Sequence, residues 1–398
     1  MESQVPNRSW KSAGSDPFAA TVNARADTAL DNRWIAAALA QAGLAGNACA
    51  PNPRVGCILV GADNQLLGSG QTQAVGGPHA EIMALRDAAK RGYSTQGATA
   101  YVTLEPCAHH GRTGPCCDAL VAAGIHRIVA ALEDPNPLVA GQGFERLRAA
   151  GIEVDVGVGA DEARELNLGF FSRMERKLPW VRMKVAASID GQTALNNGES
   201  QWITSAAARA DGHAWRARAS AILTGMGTIL KDNPRLDVRL VECQRQPSLA
   251  IVDSRLETPP DAHLFIAARA VYIYTAAQND IRSEALQARG ATVIHCPALE
   301  HNGSCAVDLG AVLRDLARRE VNELHVEAGS TLNGALLQEN WVDEVLLYLG
   351  PKWLGPGRGM AQLAALDDLG SAISLDFHSV ERIGEDLRIL ARIKGPAP

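Results

Sequence analysis

Gly77-Pro78-His79-Ala80-Glu81, then Leu104-Glu105-Pro106-Cys107, then Pro115-Cys116 are the pieces that decide how the first third of this chain is read. A histidine and a glutamate stand two residues apart where a helical pattern opens. One cysteine falls in the loop after a strand-like run, and another at the start of a second helix. Helix N-termini present unpaired N–H groups and partial positive charge, which favour a thiolate and its binding to a metal. A catalytic zinc takes three protein ligands and keeps one position open, and it needs a nearby acid/base that stays off the metal. His79, Cys107 and Cys116 meet the first need, and Glu81 the second.

Around these pieces, strand and helix patterns alternate. A helix is expected from Thr28, a buried strand over Val55–Val60, and a second strand after the polar turn Ala62–Gln65. His79 to Arg91 reads as a helix with Ile82, Leu85 and Ala89 on its apolar face. Strands are expected at Ala98–Leu104, Arg127–Ala131 and Ile152–Val156, and helices at Cys116–Ala123, Phe144–Ala150 and from Asp161. Pro179 disfavours helix at the residue before it and places a boundary near Lys177. A second alternation follows, with strands at Val181–Ala187, Ala221–Thr224, Leu249–Val252, Val271–Thr275, Glu323–Glu327 and Glu344–Leu349. Helices fit at Ser205–Ala219 and Ala311–Arg319. This is an α/β chain with a disordered tail over 1–27, one domain over 28–176 and another over 177–398.

Composition narrows the function. The 398 residues are 46% hydrophobic and 21% charged, ordinary for a globular protein with real cores. A net charge of −6 and 5% aromatic residues speak against a long nucleic-acid surface, which needs clustered Lys and Arg. No run approaches the ~18 apolar residues of a membrane helix. The first 27 residues lack an apolar signal region, so a cytoplasmic site is expected, with the eight cysteines as thiols or metal ligands.

His-x-Glu with a later Pro-Cys and a second Cys resembles the zinc-dependent nucleobase deaminases. Their two cysteines usually stand two residues apart, whereas eight residues separate Cys107 from Cys116. A purely structural zinc would want a fourth ligand, which Cys117, His109 or His110 could supply, but would leave Glu81 without a task. His109 and His110 are read instead as pocket or substrate residues. A wider set of motifs is similar to the bifunctional riboflavin-biosynthesis deaminase–reductases. It comprises Pro51-Asn52-Pro53-x-Val55-Gly56, Thr103-Leu104-Glu105-Pro106-Cys107, Gly111-Arg112-Thr113, Asp134-Pro135-Asn136-Pro137, Lys184 to Gly191, Gly198 to Thr204 and Val326-Glu327-Ala328-Gly329. In that family the long cysteine spacing is normal.

The resemblance implies a cytidine-deaminase-like three-layer α/β/α domain followed by a dihydrofolate-reductase-like α/β domain. It implies zinc and NADPH as cofactors, a phosphoribosylaminopyrimidine as substrate, and a homo-oligomer, dimer or tetramer. Asn52 would hold the pyrimidine. The dinucleotide side would fall on Ala186, Trp202, Thr228, Asp232, Ser254 and Gly329-Ser330-Thr331-Leu332-Asn333-Gly334-Ala335. The substrate side would fall on Ser200, Arg216, Leu236, Arg239 and Glu327. Arg216 and Arg239 are the right type for a phosphate, since a guanidinium binds one bidentately. Gly329 to Gly334 puts small residues between a strand end and a helix start, where backbone N–H groups can take a phosphate. Gly225-Met226-Gly227 lacks the third glycine of a Rossmann fingerprint, so that reading is rejected. Gly355 to Gly359 reads as a loop, and the family makes it a cofactor-side lid. Rival readings are a polynucleotide base deaminase, a zinc-stabilised binding module without activity, and an active deaminase fused to a degenerate reductase.

Overall fold

The computed structural model describes residues 28–108, 114–137, 139–296, 298–301 and 304–395. The 1–27 tail, His109, His110 and Gly111-Arg112-Thr113 lie outside the described residues. Two sheets organise the chain. The first has five strands, in spatial order Leu66–Gln71, Gly56–Val60, Thr99–Val102, Arg127–Ala130 and Glu153–Val156. The first two pairings are antiparallel and the last two parallel. Helix Thr28–Gly43 covers one face through Trp34, Ile35 and Ala38. Helices Ala80–Lys90, Cys116–Ala122 and Gln142–Ala149 cover the other. That is the expected three-layer α/β/α arrangement.

Helix Ala80–Lys90 differs from its expected register. Its buried stripe is Ala80, Ala84 and Ala88, not Ile82, Leu85 and Ala89. The cause lies in the neighbouring strand. A Cβ at Gly68 would come within 2.3 Å of the Ala84 carbonyl, and one at Gly70 within 2.4 Å of the Ala80 carbonyl. Two glycines and three alanines let helix and strand touch backbone to backbone, and this fixes His79 and Glu81 at the helix start.

The second sheet has nine strands. Its parallel part runs in spatial order Ala291–His295, Val271–Thr275, Ser248–Val252, Ala221–Gly225, Glu323–Val326, Trp180–Ser188 and Glu344–Gly350. Antiparallel strands Asp386–Ile393 and Leu375–Ile383 then finish one edge. All six strands expected for this half are present. The final hairpin was not expected, and it turns at Gly384, where φ is +65° and glycine carries no steric cost. Gly357–Gly359, read as loop, is a short strand paired with Gln192–Leu195. Among the described residues no helix is long and apolar enough to cross a membrane.

Candidate active sites

The two halves each carry a site. In the first, His79 caps the N-terminus of helix Ala80–Lys90 and Cys116 opens helix Cys116–Ala122. Cys107 lies on the segment following strand Thr99–Val102. His79 Nδ1 is 3.5 Å from Cys107 Sγ and 3.4 Å from Cys116 Sγ, and the three ligand atoms lie within 4.8 Å of one another. One nitrogen and two sulfurs at this separation fit a tetrahedral zinc with its fourth position open. Cys117 does not join them. Its thiol points the other way and donates to the Pro106 carbonyl at 3.2 Å, which removes it as a fourth ligand.

Glu81 is 3% exposed. Burial pushes its carboxyl up, with help from the charge of Cys107, to about 7. A buried carboxyl near neutrality can both accept and return a proton, which suits an acid/base beside a metal. The Cys107 thiol is drawn down, to about 4, chiefly by its hydrogen bond with Cys116, which is itself pushed up.

Glu105, two residues before Cys107, organises the wall of this site. Its carboxylate accepts backbone N–H groups from Gly143 at 2.7 Å, Gly141 at 3.0 Å and Asp134 at 3.1 Å. One buried anion thus ties the Asp134-Pro135-Asn136-Pro137 loop to the Cys107 loop. Asn52 is half-buried on the turn before strand Gly56–Val60, where its N–H donates to the Cys49 carbonyl at 2.9 Å.

In the second half a groove of about 1600 Å³ runs along the ends of the parallel strands. It collects Ala186, Ser200, Trp202, Arg216, Thr228, Asp232, Leu236, Arg239, Ser254, Glu327, Gly329 to Asn333, and Ala335. Gly334 is the exception. Its backbone packs on Gln362, where a Cβ would meet the carbonyl oxygen at 2.1 Å, so it shapes the wall rather than facing the groove. Helix Ser330–Gln338 starts at Gly329, and its first residues open to the groove as a phosphate-binding helix end would. Arg358, Met360 and Gln362 also line the groove, on a segment packed against that helix through Asn333 Nδ2, which donates to the Met360 carbonyl at 3.0 Å. Asp190 anchors that segment by accepting the N–H groups of Leu354 at 3.1 Å and Gly355 at 2.7 Å. The groove is large and polar enough for a dinucleotide beside a sugar phosphate.

Arg216, which lines the groove, has a partner within the protein. Its guanidinium already grips the Glu327 carboxylate through both Nε and a terminal nitrogen, the latter at 2.8 Å. The fork is therefore spent inside the protein. Arg239, salt-bridged to Asp237 at 2.7 Å but with its side chain 47% exposed, keeps donors free for an anion. Burial alone would raise the Glu327 carboxyl. Arg216, and then Lys184, outweigh it and hold the group well below the usual range. Lys184 also lines the groove, and desolvation lowers its ammonium. A lysine inside an apolar strand is a visible signal in the sequence.

Known proteins resemble both halves of the chain. The family model "Cytidine and deoxycytidylate deaminase zinc-binding region" matches residues 28–132, and "RibD C-terminal domain" matches residues 179–389. The chain is 43% identical over 350 residues to riboflavin biosynthesis protein RibD of Escherichia coli, covering 85% of this chain and 92% of that one. It is 39% identical over 339 residues to the protein of the same name from Aquifex aeolicus, covering 85% and 92%. Among solved structures, Acinetobacter baumannii RibD matches with a TM-score of 0.82 at 37% identity, over 93% of this chain and all of that one. A deaminase/reductase from Thermotoga maritima matches with 0.80 at 31%, over 92% and 99%.

Proposed function

The chain belongs to the RibD family of riboflavin-biosynthesis enzymes, and from that premise we propose which of its residues carry each step. It deaminates 2,5-diamino-6-(5-phosphoribosylamino)pyrimidin-4(3H)-one hydrolytically, releasing ammonia, and then reduces the ribosyl group of the product to ribityl with NADPH. We assign the first step to residues 28–176 and the second to 177–398.

In the first step His79, Cys107 and Cys116 hold the zinc, which when bound lowers the pKa of water enough to make it a nucleophile at neutral pH. Glu81 takes the proton that the attacking water must lose. It returns that proton to the ring nitrogen, then takes the remaining hydroxyl proton from the tetrahedral carbon and gives it to the departing amine, which leaves as ammonia. Its carboxyl near 7 serves both directions of transfer. Asn52 binds the pyrimidine.

In the second step NADPH, when bound, supplies the hydride. Ala186, Trp202, Thr228, Asp232, Ser254 and the Gly329 to Ala335 stretch form its side of the groove, Gly334 by packing. Ser200, Leu236, Arg239 and the Arg216–Glu327 pair form the substrate side. As C1′ gains hydride, its bond to the ring oxygen breaks and that oxygen needs a proton. Lys184, with its ammonium lowered by desolvation beside Glu327, is the donor we assign.

We assign a homo-oligomer assembled through strand Leu375–Ile383, a nine-residue edge bearing Phe377 at 74% exposure. An unpaired edge of this kind invites a second copy. The cytoplasm is the compartment we assign, in keeping with seven free cysteines among the described residues.

The single observation that carries the deaminase assignment is the buried Glu81 beside three convergent zinc ligands. Glu81→Gln is expected to keep about one zinc per chain while ammonia release falls by roughly 10²–10⁴. Ammonia release at the wild-type rate would refute the shuttle.

A further inference from the structure

The turn that carries Asn52 belongs to the deaminase half, but much of its backbone is held by the reductase half. The Pro51 carbonyl accepts from Asn322 Nδ2 of the reductase half at 3.0 Å, and from Arg173 of the deaminase half's own last helix at 3.2 Å. Arg173 Nε in turn donates to Asn322 Oδ1 at 2.6 Å, fixing the amide's orientation. The Ala50 carbonyl accepts from Arg245 at 3.1 Å, while Asn47 Nδ2 reaches the Arg245 carbonyl at 3.5 Å. On the far side of Asn52, Arg54 pairs with Glu323 at 3.4 Å, a carboxylate also held by Arg182 at 2.9 Å and Arg218 at 2.8 Å. Asn52 is thus flanked by anchors that stand about 190 or more positions later in the chain.

These contacts are specific. Asn322 is 7% exposed, so its amide can satisfy itself only on Arg173 and Pro51. Arg245 is fixed by its own loop, because Gln246 and Val238 exchange two hydrogen bonds of 2.8 Å. That loop begins beside Arg239, a wall of the reductase groove. A turn of Pro, Asn and Pro offers few of its own N–H groups to hold it in place, so outside donors on its carbonyls decide where Asn52 points.

We propose that Asn322 and Arg245 are positioning residues for deamination: from the reductase half they set the backbone at Pro51 and Ala50, and thereby the side chain that holds the pyrimidine. The inference rests on the assignment of Asn52 to the pyrimidine. Neither residue lines the groove or belongs to the zinc-ligand cluster.

The test uses the full-length enzyme and four variants, Asn52→Ala, Asn322→Ala, Arg245→Ala and Arg245→Lys. Ammonia release is measured against diaminopyrimidine concentration, and NADPH oxidation against the deaminated intermediate. Loss of one anchor is expected to raise the deamination KM by about fivefold with kcat nearly unchanged. Zinc content and the reductase KM should stay at wild-type values, and Arg245→Lys should restore most of the deamination KM. A merely structural role would instead lower both activities together through the folded fraction. Unchanged deamination KM in Asn322→Ala and Arg245→Ala, with Asn52→Ala impaired, would overturn the proposal and leave the Asn52 assignment standing. Raised KM in the anchor variants with Asn52→Ala unimpaired would overturn the Asn52 assignment and, with it, the proposed route through that side chain.

Discussion

Cys116 and Cys117 are adjacent and chemically identical, yet one faces the metal ligands and the other a carbonyl. The difference comes from the helix they open, where a step of one residue turns a side chain by about 100°. Cys107→Ser or Cys116→Ser should release the zinc, whereas Cys117→Ala should retain about one per chain by metal analysis. Loss of zinc from Cys117→Ala would contradict the ligand set. His79, Glu81, Cys107 and Cys116 were legible because the chemistry restricts residue types so sharply. Glu105 was not, because its importance lies in the backbone N–H groups it gathers from residues 134–144. Those partners have no side-chain signature. The partner of Arg216 was hidden for a related reason, since sequence shows a guanidinium but not the carboxylate 111 positions away that it grips.

At the scale of elements, strands with continuous apolar runs and helices with caps were readable. The register of helix Ala80–Lys90 was not. Hydrophobicity pointed to Ile82 and Leu85, but close approach to Gly68 and Gly70 favours the smallest side chains. The terminal hairpin was missed because strand Leu375–Ile383 is largely exposed and lacks the alternation of a half-buried strand. The same close-packing argument yields a prediction for the cofactor wall. Gly334→Ala would drive a methyl group into the Gln362 carbonyl, so helix Ser330–Gln338 and the segment at Met360 must separate. The KM for NADPH is expected to rise by about tenfold or more with ammonia release unaffected. An unchanged KM would show that the wall yields without cost.

For the molecule as a whole, the two layers of function were visible in the sequence as two alternating α/β halves, while the surface between them was not. It is built from single long-range contacts such as Arg54–Glu323, which no local pattern foretells. The outer edge gives a separate test. Replacing Phe377 and Val380 by Lys should block pairing of the exposed edge and shift the sedimenting species to monomer with both activities retained. An unchanged mass would place the interface elsewhere. The central claim, that one chain performs hydrolysis and then reduction, is tested most directly by following ammonia and NADPH in one sample given only the diaminopyrimidine. Equal amounts of ammonia released and NADPH oxidised, with ammonia appearing first, are predicted. NADPH oxidation without ammonia, or ammonia release with no NADPH consumed, would contradict the account.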